Sequence, residues 1–148
     1  MELEAGRSSA EAGMSFRAAL AMVLVGTFLG ACSQTGVPIV VIGDWGGEHI
    51  GMVVRSESAT IEYDCAHGTI DEAIRPDSRG RFTATGTYTQ EHGGPIREGE
   101  IPDQQPARYD GEVFSGKMTL EVTLTESGVL IGPFALERAA SPQVFKCL

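Results

Sequence analysis

Apolar and polar residues alternate along most of this chain, and that two-residue period constrains its fold more than any other feature. Ala59, Ile61 and Tyr63 alternate with polar residues, and the same pattern returns further on, around Leu120. Successive side chains of a β-strand point to opposite faces of a sheet, so this period predicts half-buried strands. No segment after Cys32 has a convincing helical period, and we therefore predict an all-β domain.

Turn residues divide the alternating region into about eight strands. We predict them at 47–55, 59–65, 68–75, 81–89, 107–114, 117–125, 129–137 and 143–147. Because the connections are short, consecutive strands are expected to be antiparallel neighbours in an up-and-down meander closed into a small barrel. A two-sheet sandwich is the alternative. Glycines inside the predicted strands suit the sharp bending of a narrow barrel; they are Gly51, Gly86, Gly111 and Gly132.

The N-terminal segment has the features of an export signal. After Met14 come one positive charge at Arg17, an apolar run over 18–29 and a small-residue cleavage site. The run is shorter than the roughly 20 apolar residues of a transmembrane helix, so we predict a signal peptide over residues 1–31. Three glutamates precede Met14, which is unsuitable for a signal, and Met14 is therefore the predicted true start.

The end of this segment, Leu29-Gly30-Ala31-Cys32, resembles the bacterial lipobox. The resemblance implies cleavage before Cys32 and acylation of both its thiol and its new amino group. Residues 32–42 would then be the lipidated cysteine and a tether, with a single domain over 43–148. Ser33 resembles the sorting pattern for the outer membrane, so we expect a lipid-anchored envelope protein, on the periplasmic face of that membrane in a Gram-negative organism. An ordinary cleaved signal is the alternative.

The two other cysteines, Cys65 and Cys147, form an even pair in an exported chain, which predicts a disulfide. Two free thiols are the alternative. Successive connections of a meander alternate between the ends of the barrel, and the predicted strands bring both cysteines to one end. The same count places all three histidines there, namely His49, His67 and His92.

These histidines are candidate ligands of a metal site, with Glu91 or Asp64 beside them. Imidazole and carboxylate in a tetrahedral shell would suit zinc. No dense metal-binding motif is present, and the alternative is that the histidines bond to nearby loops. We expect no other cofactor. The irregular segment 90–106 is predicted to leave the barrel at the same end, and its length points to a functional role.

Charge and length exclude several classes of function. The net charge of −9 argues against nucleic acid, which is bound through Lys and Arg. A chain of 148 residues is too short for a multidomain enzyme. Nucleophile-elbow and phosphate-binding motifs are absent. Glu62 and Asp64 are about 7 Å apart if they share a strand face, a tolerable acid pair. An exposed strand face explains them more simply, and we expect no catalysis. A hydrolytic site at the end that carries His49, His67 and His92 is the alternative.

The segment Gly43-Asp44-Trp45 resembles the Gly-x-Trp opening of lipocalins, avidins and other calycin barrels. In those barrels the indole packs across the closed end, often beneath an arginine near the end of the chain. The resemblance implies a structural role for Trp45 and makes Arg138 its candidate partner. The predicted strands nevertheless place Arg138 at the opposite end. Segments around His49, Cys65 and His92 also resemble a group of uncharacterised exported bacterial proteins, from which no activity can be transferred.

The expected role is binding by a monomer, and the ligand depends on the interior of the barrel. Four large aromatic residues are predicted to point inwards among alanines and glycines, which slightly favours a cavity; they are Tyr63, Phe82, Tyr88 and Phe134. A hollow barrel would bind a small apolar ligand. A filled barrel would bind an envelope protein, and small disulfide-bonded envelope lipoproteins often inhibit lysozymes or proteases or act in assembly.

Overall fold

The computed structural model describes residues 39, 41–95 and 97–147, which form a closed antiparallel barrel. Its strands are β1 (Gly43–Gly47), β2 (Ile50–Val54), β3 (Ala59–Tyr63), β4 (Ala66–Ile70), β5 (Arg81–Gln90), β6 (Asp103–Phe114), β7 (Lys117–Leu124) and β8 (Leu130–Arg138). Each strand pairs with the next, and β8 pairs with β1 to close the barrel. The predicted all-β meander is therefore confirmed, and the sandwich is excluded. The described part of the chain contains no helix that meets the length and apolarity needed to cross a bilayer.

The barrel has two ends, which differ in their connections. The chain enters β1 at what we call the entry end, which carries the turn 55–58, the loop 71–80 and the turn 115–116. The opposite end carries the turns 48–49, 64–65 and 125–129 and the loop 91–102. We call it the disulfide end, because a bond between Cys65 and Cys147 lies there.

Two of the predicted strands are wrong in their details. The predicted first strand, 47–55, is the hairpin of β1 and β2, because a tight turn at Glu48 and His49 reverses the chain. His49 has a φ of 65°, a left-handed conformation at the second central position of the turn. The predicted last strand, 143–147, is an extended segment with one bridge, between Gln143 and Glu48. The number of strands is right because these two errors cancel.

The segment after β8, residues 139–147, runs back over the outer face of β1 and β2, and we call it the strap. Its backbone amides donate to β1, from Ala139 to Asp44 O at 2.8 Å and from Gln143 to Gly47 O at 2.9 Å. A Cβ on Gly46 would lie 2.2 Å from Ala140 O. The wall is glycine-rich here because the strap needs the space, which is also the role of the neighbouring Gly51.

The interior of the barrel is filled by side chains. Its largest fully buried members are Trp45 and Tyr109, and the long, flexible Met52 and Met118 are equally buried. The expectation from sequence left out Trp45 and Tyr109, and several small residues that favoured a cavity make room for rings instead. A Cβ on Gly111, for example, would lie 2.3 Å from the Phe82 ring. Each such large apolar side chain contributes about 1.5–3 kcal/mol of burial free energy.

Trp45 lies beneath Arg138, as the resemblance to calycin barrels implies. The guanidinium carbon of Arg138 is 4.6 Å from the centroid of the indole ring, and the two residues are direct partners between β1 and β8. The indole Nε1 donates to Val41 O at 2.8 Å. The expectation that Arg138 lies at the opposite end from Trp45 was wrong. It treated β1 and β2 as one strand, which reversed the direction of the strand that carries Trp45. The barrel is thus consistent with a small calycin-like barrel.

The predicted irregular segment 90–106 is shorter than expected, since β6 already begins at Asp103 and pairs with β5. Pro106 is tolerated within β6 because its carbonyl accepts a bond from Thr125, just beyond the end of β7. The N–H and C=O of one strand residue point to the same neighbour, so the missing N–H faces the end of β7 and the pairing between β5 and β6 is kept. The loop that leaves the disulfide end is 91–102.

Candidate functional site

The disulfide fixes the end of the strap to the β3–β4 turn. Cys65 and Cys147 are bonded, with their Cα atoms 4.9 Å apart, so the predicted pair is confirmed. Cys65 has a φ of 52° in that turn, and its carbonyl oxygen accepts bonds from the Glu91 amide and the Gln90 side chain. The disulfide end is therefore tied together across β3, β4, β5 and the strap.

Asp64 joins the β1–β2 turn to the strap. Nδ1 of His49 donates to Oδ2 of Asp64 at 2.5 Å, and the backbone N–H of Phe145 donates to Oδ1 at 2.7 Å. The Phe145 amide, and then the His49 side chain, hold the pKa of Asp64 below its usual range. Phe145 itself is 68% exposed, with its ring 6.4 Å from that of His49. The strap thus presents an aromatic ring to solvent beside a paired histidine.

Lys146 forms a second link between the strap and the strands. Its Nζ lies 2.5 Å from Oε2 of Glu62 and 3.2 Å from both carboxylate oxygens of Glu91, and it donates to Ala66 O at 3.0 Å. Nδ1 of His67 donates to Glu91 Oε1 at 2.7 Å. The bond from His67, followed by the contacts with Lys146, lowers the pKa of Glu91. Burial opposes the charge of Lys146, but the two carboxylates outweigh it and raise the Lys146 pKa.

His92 is bonded within its own loop, away from the other two histidines. Its Nδ1 donates to Gly93 O at 2.9 Å, and its Nε2 donates to Oε1 of Glu100. The Gly93 carbonyl and then Glu100 raise the pKa of His92, because both ring nitrogens face acceptors. The other carboxylate oxygen of Glu100 accepts the Arg97 amide at 2.9 Å. These bonds give the loop 91–102 a local framework.

The three histidines lie at one end, as predicted, but the structure does not assemble them into a metal site. His49, His67 and His92 are each bonded to a different carboxylate. Within residues 39, 41–95 and 97–147, no group of three or more His, Cys, Asp or Glu side chains is placed to hold a metal ion. The zinc prediction therefore gains no geometric support. Glu62 and Asp64 are likewise held by different partners, Lys146 and His49.

Several of the predicted sites lie outside the described residues. Two residues of the candidate site were not predicted from the sequence. Cys32, the signal peptide 1–31 and most of the tether fall in the undescribed N-terminal part. Phe145 and Lys146 were missed, although they immediately precede Cys147, which the strand count had already placed at this end. That adjacency was the available signal.

Charge is distributed unequally between the two ends. Counted over the turns, the two nearest residues of each adjoining strand and the strap, the disulfide end has eight carboxylates and two cations. The carboxylates are Glu48, Glu62, Asp64, Glu91, Glu98, Glu100, Asp103 and Glu126, and the cations are Arg97 and Lys146. The entry end, counted the same way, has six of each; they are Asp44, Glu57, Asp71, Glu72, Asp77 and Glu137 with Arg55, Arg75, Arg79, Arg81, Lys117 and Arg138. The barrel is therefore acidic at the disulfide end and balanced at the entry end.

Exposed apolar side chains accompany the acidic groups of the disulfide end. Ile101 is 88% exposed in the loop, and Leu130 is 61% exposed beside the β7–β8 turn. Together with Phe145 they place three large apolar residues among carboxylates. Exposed aromatic and aliphatic groups with a charged surround are typical of protein-binding surfaces.

Two concave regions lie outside the barrel interior. One, of about 550 Å³, is on the wall formed by β5 to β8, with Arg81, Asp110 and Glu121 among its lining residues. The other, of about 620 Å³, is formed by the loop segment 92–100. Both open to solvent and are lined partly by charged side chains, which favours a partner with polar groups over a small apolar ligand.

Comparisons with protein-family models, with curated proteins and with solved structures give no match to this chain.

Proposed function

We propose that this protein is a lipid-anchored protein of the bacterial cell envelope that binds another protein through its disulfide end. The proposed anchor is Cys32, acylated after removal of the signal peptide. Two or three acyl chains on one cysteine would hold the barrel stably at a membrane. The disulfide is in keeping with an oxidising compartment outside the cytoplasm.

The observation that carries the proposal is the filled interior. Trp45 and Tyr109 occupy the space that a ligand inside the barrel would need, and both are fully buried. A barrel of eight strands holds either its own side chains or one small ligand. Because the side chains are there, we place binding on the surface and favour a protein over a small apolar ligand.

The disulfide end is the surface best suited to that role. The strap and the β1–β2 and β3–β4 turns are tied together by the disulfide, by Asp64 and by Lys146. A preorganised surface loses less conformational entropy on binding. Phe145 and Ile101 supply exposed apolar groups, and the surrounding carboxylates favour a basic partner whose affinity falls as salt is added.

We expect binding without catalysis at this end. Asp64 and Glu91, the carboxylates bonded to His49 and His67, also bond to the strap. These contacts account for the two carboxylates as structural groups. An inhibitor of an envelope enzyme and an assembly partner are both included in the proposal.

The anchor is tested by labelling cells with radioactive palmitate. We expect label on the wild-type protein and its recovery with membranes, and we expect the Cys32→Ala variant to lose both. Unchanged labelling of Cys32→Ala would contradict the proposed anchor. Cys65 and Cys147 serve as the internal control, because their disulfide leaves no thiol to acylate.

The partner surface is tested by photocrosslinking in cells of the source organism. A photoreactive phenylalanine analogue replaces Phe145 at the disulfide end or, as the matched control, Phe114 at the entry end. Both side chains are exposed, at 68% and 78%. We expect a protein adduct from position 145 that is absent from position 114. Protein adducts from position 114 alone would contradict the assignment of the surface.

A further inference from the structure

The place where the chain enters the barrel determines which end is nearer to the proposed anchor. Val41 is buried and Ile42 is exposed immediately before β1, at the entry end. Residues 33–42 connect this point to Cys32 and can span at most about 36 Å when fully extended. If Cys32 is acylated, as proposed above, the entry end is therefore held close to the bilayer.

An exposed apolar surface lies at that entrance. Phe114 is 78% exposed and Ile42 is 53% exposed. Arg138 connects their two segments, because its backbone N–H donates to Gly116 O at 2.9 Å and its Nη1 donates to Ile42 O at 2.8 Å. Lys117, the first residue of β7, has a largely exposed side chain whose Nζ lies 3.2 Å from Oε1 of Glu137. We call Ile42, Phe114 and Lys117 the entry patch.

The difference in charge between the two ends favours the same orientation of the barrel as the tether. The entry end carries as many cations as carboxylates, whereas the disulfide end has a large excess of carboxylates. Anionic lipid headgroups repel acidic groups and attract Lys and Arg within about a Debye length of the surface. An anionic bilayer would thus turn the disulfide end away from itself.

We propose that the entry patch rests on the headgroup region of the bilayer that holds the acyl chains, with the Phe114 ring at the interface. This inference depends on the proposed acylation of Cys32. An aromatic ring and a neighbouring lysine suit the boundary between apolar chains and headgroups. A contact this small is weak alone, but the short tether gives it a high effective concentration. The disulfide end then faces away from the membrane, towards a partner.

The test compares tryptophan replacements at the two ends of the full-length acylated protein. Phe114→Trp reports on the entry patch, and Ile101→Trp is the matched control on another highly exposed apolar residue, at the disulfide end. Both retain the buried Trp45 as a common background. The proteins are reconstituted in vesicles of phosphatidylcholine and phosphatidylglycerol whose acyl chains carry bromine. Circular dichroism checks that each variant retains the β-sheet spectrum of the wild-type protein.

We expect Phe114→Trp to be quenched about twofold more strongly than Ile101→Trp, because brominated chains quench only indoles near the bilayer interface. Equal quenching of the two variants, or stronger quenching of Ile101→Trp, would overturn the proposed orientation. The intact mass measured before reconstitution reports on acylation separately. An exported protein without acyl groups overturns the proposed anchor, and the orientation with it. An acylated protein whose Phe114→Trp is not quenched overturns the orientation alone.

Discussion

At the scale of single residues, absent side chains matter as much as those present. Gly46 and Gly51 face each other on the outer wall of the β1–β2 hairpin, and the strap lies against both. Inside, Gly111 makes room for the Phe82 ring. Packing in protein interiors is dense, so an added methyl group at such positions must displace its neighbours.

Gly46→Ala should therefore lift the strap from the wall. The new Cβ would lie 2.2 Å from Ala140 O and 2.7 Å from Pro142 N, which are backbone atoms that have no other rotamer to adopt. We expect a loss of about 1–3 kcal/mol in the free energy of unfolding, measured by urea denaturation. Asp44→Ala, on the same strand but with an exposed side chain, should change it little. Equal effects of the two substitutions would show that the strap does not press on Gly46.

The lowered pKa of Asp64 predicts how the bond between Asp64 and the strap responds to pH. The Phe145 amide and His49 lower the pKa of Asp64 in the folded protein. Such a group stabilises the fold above its unfolded pKa, about 3.9, and that stability is lost as the pH falls through the folded value. We expect the NMR signal of the Phe145 amide to titrate below about pH 3.9, and Asp64→Asn to abolish that titration.

The control for this titration is a similar bond elsewhere on the barrel. Glu72 accepts the Thr85 amide at 2.6 Å, and this bond lowers the pKa of Glu72. Glu72→Gln should change the titration of Thr85 and leave that of Phe145 intact. If the Phe145 amide of Asp64→Asn still titrates as in the wild-type protein, the bond to Asp64 is not what holds this part of the strap.

At the scale of elements, the strap is the feature that distinguishes this barrel from a simple meander. It starts at the entry end after β8, crosses the outer wall, and ends in the disulfide. Near its end the Phe145 amide donates to Asp64, and Lys146 pairs with Glu62. The contacts are mostly polar and partly exposed, and each alone contributes little. The disulfide is therefore expected to provide most of the free energy that holds the strap.

Removing the disulfide should reveal that dependence. The cysteines are 82 positions apart in sequence. For a closed loop of such length the chain-entropy model gives a loss of about 4.5 kcal/mol. We expect Cys147→Ser to lose an amount of that order in urea denaturation and to match the wild-type protein after reduction. A variant as stable as the oxidised wild-type protein would contradict the account.

The strands and the strap were predicted from the sequence only in part. Alternation predicted the meander correctly, because half-buried strands expose and bury side chains in turn. It missed the β1–β2 hairpin, since the turn at Glu48 and His49 has no Asn-Gly or Asp-Gly signal and requires a left-handed histidine. It also read the strap as a strand, because an extended segment against a wall alternates in the same way. The parity of the meander still placed Cys65 and Cys147 together.

The sequence predicted the candidate site less completely than it predicted the fold. The strand count identified the end at which His49, His67 and His92 lie, but whether side chains converge depends on rotamers and partners. Those partners separate the three histidines, each taking a different carboxylate. The filling of the interior was similarly hidden, because it depends on Trp45 and Tyr109 pointing inwards together.

At the scale of the whole molecule, the barrel has two unlike ends and an interior occupied by its own buried side chains. The disulfide end is acidic and tied by the strap, and the entry end is balanced in charge and joined to the predicted tether. This arrangement suits a domain that faces a membrane at one end and a protein partner at the other. The proposed function depends on the surface of the barrel, and the filled interior is the premise of that proposal.

Native mass spectrometry of the exported protein carrying Cys32→Ser tests this premise most directly. This variant lacks the acylation site and is expected to be released in soluble form. We predict a monomer whose mass is about 2 Da below that of the reduced chain, the two hydrogens lost when one disulfide forms, with no small molecule retained. A stoichiometric small molecule that leaves only on unfolding would contradict the account, because it would place the binding site inside the barrel.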